Sequence, residues 1–506
     1  LSQPAIAPLY DTLHGEEMLL SWLSPTGGPA PEYRRYLEER WRKQVYPAGS
    51  AVPFDRFWNA CLHDGLFQQQ TRTSAPGSKD WARAFQAAAT VPPADGFELI
   101  LRPGHNVFDG RYGDNGWLQE TPDPLTKQTW GNALLVSPVD AERLGLKDGQ
   151  VARVESGVRL AQLPIIIQEG QTPGVLCAAL GYGRRTGSVA RAVGTNLYPL
   201  LDADSSSPFL LQSVRLFATG AVADLALTQS HHRMEGRDIA RSVPVAELAR
   251  SREAREIPTM YPAQDFPDHK WGMAVDLSLC VGCSACVVAC QSENNIPCVG
   301  PEQVRRGREM HWIRVDRYLL GEGAQTRAVS QPMLCQHCDN APCETVCPVN
   351  ATNHSPEGLN QMAYNRCVGT RYCANNCPYK VRRFNFFEYN AAKEEPETFV
   401  FNPEVTVRPR GVMEKCTFCV QRIQDGKQRA KTQGRSLQDE EIRPACAVAC
   451  PAGAIVFGDL KDPSSRVSLW SKDQRGYRVL EEVGAKPAVT YLAELTNPLE
   501  GKSPRD

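Results

Sequence analysis

A chain of 506 residues with 18 cysteines and a formal net charge of -1 is long for one hydrophobic core and has no basic excess. That predicts several domains and argues against nucleic acid as a partner. No run approaches the roughly 18 to 20 consecutive apolar residues of a membrane-spanning helix, so the sequence reads as soluble or peripheral on a membrane partner. It begins at Leu1 without a charged segment leading into an apolar one, so no secretory signal is read from it, and a processed chain or a piece of a longer one is expected.

Residues 1–95 mix helix-like segments ("EYRRYLEERWRKQV", "DWARAFQAAAT") with Pro and Gly breaks. From 96 to 222, short apolar runs ("FELILRP", "ALLVSP", "VARVES", "LAQLPIIIQ", "GVLCAAL") are separated by Gly, Pro and Asp turns, the pattern of a β-barrel or sandwich. Residues 223–270 are polar and poorly periodic and read as an extended connector. Within 271–460 a strand-like segment ("WGMAVDL", "HWIRVDRYL", "LNQMAYN") is followed repeatedly by a cysteine run and a short helix or turn. This is a weak duplication whose units carry too little apolar material to fold on a hydrophobic core alone. Residues 461–506 read as an irregular C-terminal extension. The fold expectation is an α+β multidomain chain.

Cys61 and Cys177 lie in the first half and the other sixteen cysteines between 280 and 450, unlike a disulfide framework. "CVGCSACVVAC" supplies Cys280, Cys283, Cys286 and Cys290, and "CQHCDNAPCETVCP" supplies Cys335, Cys338, Cys343 and Cys347. "RCVGTRYCANNCP" supplies Cys367, Cys373 and Cys377, with Thr370 where a second cysteine is expected; "CTFC" and "CAVACP" supply Cys416, Cys419, Cys446 and Cys450. Spacing of this kind aims successive thiolates at different irons of one cubane, and the last cysteine of a run ligates the other cluster of a pair. Soft thiolates also suit zinc, and the split fourth run taken alone fits it. The compact runs, with Pro348, Pro378 and Pro451 directly after the last cysteine in three of the four, favour iron-sulfur clusters. Cys298, Cys61 and Cys177 stand outside the runs and are expected to be buried free thiols.

The four runs, in this order and with the split fourth, resemble the four-cluster electron-transfer subunit of the dimethyl-sulfoxide-reductase and polysulfide-reductase type. The resemblance implies a duplicated ferredoxin-like domain in which run one pairs with run four, and run two with run three. It then implies three [4Fe-4S] clusters, held by Cys280, Cys283, Cys286 and Cys450; by Cys290, Cys416, Cys419 and Cys446; and by Cys335, Cys338, Cys343 and Cys377. The remaining set, Cys347, Cys367 and Cys373, is one thiolate short at Thr370. A hydroxyl is a poor iron ligand, so a [3Fe-4S] cluster is expected there; a four-iron cluster with a labile iron and an empty site are the alternatives.

The stretch "DNGWLQETPDPLTKQTWGNALLVSPVDAERLGLKDGQVARVES" resembles the double-psi β-barrel that closes over molybdopterin dinucleotide in molybdenum oxidoreductases, with "LGYGRRTGSVARAVGTNLYPL" as a cofactor-side loop. A barrel and four cluster sites on one chain resemble the large iron-sulfur subunit of alternative complex III, whose molybdopterin-like part holds no cofactor. That resemblance makes residues 1–95 the end of a molybdopterin oxidoreductase-like domain, the longer remainder of which precedes it in the family. It implies an electron-transfer subunit without catalytic residues or molybdopterin, passing electrons from a quinol-binding membrane subunit of the polysulfide-reductase type toward c-type cytochrome subunits. It also implies peripheral attachment at the periplasmic face of the inner membrane. The rival reading is the electron wire of a molybdenum-dependent reductase.

His231, His232, His311, His337 and His354 are candidates to tune a cluster or pass a proton, although hydrogen-bonded or surface histidines are the commoner case. Lys380, Arg382 and Arg383 in "YKVRRFNFF" offer either a docking site for a membrane subunit or a solvated face.

Overall fold

The computed structural model describes residues 7–23, 33–68, 95–202, 207–248, 257–262, 264–390 and 393–497. The helix expected at "DWARAFQAAAT" lies outside them. The chain forms two compact units, Leu1–Pro92 and Pro93–Asp506. In the first are α1 (Gly15–Leu23), α2 (Tyr33–Gln44) and α3 (Phe54–Asp64). Of these, α3 buries side chains, Phe54, Trp58 and Cys61. Trp41 of α2 meets Trp58 edge-on with centroids 5.5 Å apart, and Gly65, left-handed at φ 73, stops α3.

The second unit opens with a closed six-stranded barrel. Its strands, with the small pair that joins them, are β1 (Phe97–Arg102), β2 (Gln128–Thr129), β3 (Leu134–Val136), β4 (Gln150–Ser156), β5 (Arg159–Ile167), β6 (Val175–Ala179), β7 (Leu210–Val222) and β8 (Ala226–Leu227). The barrel order is β1-β6-β3-β5-β4-β7, while β2 pairs with β8 outside it. Alternating residues face inward, so Leu99, Leu134, Val154, Leu163, Ile165 and Leu176 form one aliphatic core. Closure leaves no edge, which is why a barrel rather than an open sandwich accommodates these short strands.

The cysteine-rich half is built on β9 (Ser242–Pro244), β10 (Trp271–Asp276), β11 (Arg314–Leu320), β12 (Arg327–Met333), β13 (Thr352–His354), β14 (Asn360–Met362), β15 (Arg383–Phe384), β16 (Met413–Glu414), β17 (Ile455–Asp459), β18 (Gly476–Tyr477), β19 (Val489–Leu492) and β20 (Glu494–Thr496). Its largest sheet has the order β17-β10-β19-β18, with every residue of β10 buried. The C-terminal segment is therefore not irregular: β19 is an inner strand, parallel to β10. That pairing is non-local, which is why local sequence pattern missed it. The connector is likewise tied down, because β9 runs parallel to β20. Around the sheet, one core mixes aliphatic and aromatic side chains with cysteines of all four runs.

Candidate metal centres

All four cysteine runs turn through the same backbone kink. The residue before the second ligand position is left-handed in each: Gly282 (φ 71), His337 (φ 44), Gly369 (φ 74) and Phe418 (φ 56). Histidine and phenylalanine are uncommon in that region and persist only where surroundings hold them. Here the two rings stack, with centroids 3.9 Å apart and planes 21° apart. Gly369 precedes Thr370, so the run with the missing cysteine keeps the loop of the three complete ones.

Cysteines from distant runs converge. Cys280, Cys283 and Cys286 line one cavity with Cys450. Cys290 lines a second with Cys416, Cys419 and Cys446. Cys335, Cys338 and Cys343 line a third with Cys377. Of the remaining three, Cys347 follows the short helix Pro342–Thr345, Cys367 follows the turn Tyr364–Arg366, and Cys373 lies in the helix Tyr372–Asn376. Asn376 joins the two helices, its Nδ2 donating to the Pro342 carbonyl at 2.9 Å. Thr370 is exposed, between Val368 and Tyr372, which are 65% and 55% exposed.

Backbone and side-chain N–H groups point at these sulfurs. Cys347 Sγ accepts from Ala351 N at 3.2 Å, Cys367 Sγ from Met413 N at 3.4 Å, and Cys450 Sγ from Ala454 N at 3.2 Å. Asn294 Nδ2 donates to Cys290 Sγ at 3.6 Å and to Cys419 Sγ at 3.7 Å. Burial pushes the Cys280 thiol up to about 11, and those of Cys343 and Cys416 up to about 12. It therefore takes a metal's charge to hold these sulfurs as thiolates at neutral pH. At Cys347 burial is outweighed by the N–H groups of Val349, Ala351 and Thr352, which hold the thiol below its ordinary value.

The donor sets fit iron-sulfur clusters better than zinc. A single zinc draws its ligands to about 2.0–2.3 Å, yet among the described residues no three His, Cys, Asp or Glu side chains gather closely enough for one ion. The cysteine quartets instead each line a common small cavity, the arrangement expected of ligands that share one cluster.

Charge is the second feature of the site. Lys415 is fully buried and donates through Nζ to the Cys416 carbonyl at 2.8 Å. Lys127, on the barrel loop before β2, is 1% exposed and reaches into the cysteine-rich half, donating to the Val315 carbonyl at 2.8 Å. Burial pushes it down to about 8. His105 Nε2 lies 3.0 Å from the Cys283 carbonyl, so the barrel segment touches the cysteine-rich half at β11 and at the first cysteine loop. Neither lysine was legible as part of a metal site; the adjacency of Lys415 to Cys416 was the one local signal.

The basic run after Pro378 corrects a sequence expectation. Lys380 is exposed, but Arg382 is 6% exposed and Arg383 pairs inside with Glu309 at 2.8 Å, so two of the three do not form a docking surface. The histidines divide as well. His231 pairs with Glu235 at 3.0 Å, His232 with Glu169 at 2.9 Å and His354 with Glu344 at 2.5 Å. His311 is buried and pushed down to about 4 by desolvation. His337 is held neutral by burial; its Nδ1 accepts from Asn360 N at 3.1 Å, so Nε2 carries the proton, buried without a protein acceptor. Cys61 is buried, whereas Cys177 and Cys298 are half-buried. Cys177 faces outward in β6, between the core-facing Leu176 and Ala178.

In the barrel, Arg102, His105, Asn106, Asp123, Thr126 and Gln128 line a polar recess of about 30 Å³, with Asn106 Oδ1 buried and unpartnered in it. That is room for a water or two, against the several hundred cubic ångströms of a nucleotide-sized pocket.

Cysteine quartets contributed by paired runs, bedded in an apolar core and supplied with N–H donors, define an iron-sulfur protein of the electron-transfer class. Residues 279–351 and 327–395 each match the family described as "4Fe-4S dicluster domain", and residues 111–207 match "Molydopterin dinucleotide binding domain". The iron-sulfur cluster-binding subunit of menaquinone reductase from Nitratidesulfovibrio vulgaris is 41% identical over 229 residues, 44% of this chain and 89% of that one. A putative dimethyl sulfoxide reductase iron-sulfur subunit of Halobacterium salinarum is 37% identical, over 44% of this chain and 78% of that one. An iron-sulfur subunit of the Hdr-like menaquinol oxidoreductase of Archaeoglobus fulgidus is 34% identical, over 46% and 86%. The chain belongs to the family of iron-sulfur subunits of molybdoenzyme-type electron-transfer complexes. It carries a molybdopterin-binding domain followed by 4Fe-4S dicluster domains. Among the described residues no helix is long and apolar enough to cross a membrane.

Proposed function

We propose that this chain is the electron wire of a quinone-linked complex of the molybdenum-dependent reductase type, working between a membrane anchor subunit of the polysulfide-reductase kind and a molybdopterin catalytic subunit. The observation that carries the reading is the convergence of cysteines from paired runs into three quartets. The quartets would hold [4Fe-4S] clusters and Cys347, Cys367 and Cys373 a [3Fe-4S] cluster. When bound, such clusters supply one-electron transfer at potentials set by ligation, hydrogen bonds to sulfur and burial. The chain's own residues position the thiolates, exclude water through the surrounding core, and direct Asn294 and the N–H groups of Ala351, Met413 and Ala454 at sulfur. The exposed Thr370 corner is the side on which the chain would meet its quinone-binding partner.

The test is redox-titrated EPR with iron analysis on the purified complex. About fifteen irons per chain and a three-iron signal in the oxidised state are expected, and Thr370→Cys converts that signal to a four-iron one. Sixteen irons with no three-iron signal in the unmodified protein removes the Thr370 assignment.

A second reading is favoured by the fusion of barrel and cysteine-rich half in one chain. It places the chain in alternative complex III, on the periplasmic face, delivering electrons to c-type cytochromes with no molybdopterin bound. Metal analysis of the intact complex separates the two: stoichiometric molybdenum supports the reductase, and its absence together with c-type haem supports the second.

A further inference from the structure

We infer that Arg382 is a positioning residue for electron transfer between the Cys335 set and the Cys347 set, its fixed positive charge raising the potential of the cluster it faces. The inference rests on the ligation proposed above.

Arg382 lines the same cavity as Cys335, Cys338, Cys343 and Cys377. Its Nη2 donates to Thr352 Oγ1 at 2.7 Å and its Nη1 to Asn360 Oδ1 at 3.4 Å, so the guanidinium is clamped by β13 and β14. Asn360 in turn donates to Cys343 Sγ at 3.7 Å. The third nitrogen, Nε, is buried with no protein acceptor. The neighbouring buried arginines are compensated: Arg383 pairs with Glu309 at 2.8 Å and Arg408 with Glu414 at 2.9 Å. Among the described residues Arg382 has no carboxylate in ion-pair range; the charges acting on it most strongly are Cys343, Cys373, Cys335 and Cys377. Three of these belong to the third quartet, and Cys373 belongs to the set that is one thiolate short at Thr370.

A guanidinium stays protonated throughout the working pH range, and burying it without a counter-charge is costly. Thiolate-bound clusters are net anionic and become more so on reduction, so they supply the missing charge and are stabilised in the reduced form by it. Nε–H is then a donor for cluster or cysteine sulfur. No bond forms or breaks: one electron leaves one cluster as the other accepts it, and Arg382 neither gains nor loses a proton.

The experiment is potentiometric EPR of the intact complex carrying Arg382→Met, Arg382→Gln or Arg382→Lys, each with an iron count. The two neutral variants are expected to lower the reduced-to-oxidised ratio of the third cluster about tenfold at fixed potential, which is about 59 mV for one electron, while Arg382→Lys stays near the parent. Full iron with unchanged potentials in the neutral variants overturns the inference. Should the neutral variants fail to assemble that cluster, its retention in Arg382→Lys supports the charge role, and equal loss in Arg382→Lys overturns it. A parent protein without iron would instead remove the cluster reading itself.

Discussion

The two halves of the larger unit solve the same problem with different materials. The barrel is sealed by aliphatic side chains alternating along six closed strands, with Leu134, Val154, Leu163 and Ile165 at its centre. The cysteine-rich half has a sheet of only four strands, and its core includes thiols together with the fully buried Lys415 and the buried pair Arg408–Glu414, 0% and 1% exposed. A hydrophobic core gains free energy from burial alone. Thiols in a core gain from ligating metal, and a buried cation such as Lys415 gains from a counter-charge; a thiolate-ligated iron-sulfur cluster, net anionic, would serve both.

The largest effect should follow from taking that cluster away. Chelation of iron under reducing conditions is expected to erase amide-exchange protection in β10, β17 and β19 while the barrel strands keep theirs. Simultaneous loss in both halves would mean that the barrel depends on metal too. Breaking the compensated pair comes next: Glu414→Gln leaves Arg408 uncompensated and should cost about 3–5 kcal/mol, read as lost exchange protection around β16. Its mirror in the barrel is Leu163→Ala, expected to cost about 2–5 kcal/mol through the cavity it opens, with iron content unchanged.

The smallest effect concerns the seam between the halves. Glu120, in the barrel segment, is fully buried and accepts from Val299 N and Gly300 N, both at 2.9 Å, and from Trp130 Nε1 at 3.2 Å. Desolvation, assisted by the nearby Glu309 carboxylate, pushes its carboxyl up to about 7 from an ordinary 4.5, against the pull of those N–H donors. A folded value above the unfolded one means that the native state holds the extra proton. The stabilisation is complete below about 4.5 and is lost as pH rises through about 7. Thermal stability should fall over that window by on the order of 3 kcal/mol, and Glu120→Gln should flatten the slope. An unchanged slope would assign the pH dependence elsewhere.

Much of this was legible in particular residues. Period-two runs such as "LAQLPIIIQ" announce barrel strands because every second side chain must face one core, and β5 (Arg159–Ile167) is where that run lies. The C-x2-C spacing announces metal loops because so short a loop has few ways to turn two sulfurs the same way; the left-handed residue at Gly282, His337, Gly369 and Phe418 is that turn. The basic run around Arg382 misled because charge in a sequence carries no direction: Lys380 and Arg382 are two residues apart, one in solvent and the other among thiols. The irregular look of the C-terminus misled for a related reason, since β19 is short and becomes a strand only by lying beside β10.

By itself, the sequence determined which thiols are available to hold metal, where the loops turn, and that Thr370 stands where the other three runs have their second cysteine. Those are local properties, set by side-chain chemistry and backbone sterics within a few residues. Tertiary structure alone decided which distant cysteines share a cavity, that Thr370 lies at the surface, and that Lys127, Arg382 and Lys415 lie inside. Burial and electrostatic compensation depend on what the rest of the chain folds against a residue, and no stretch of sequence contains that information.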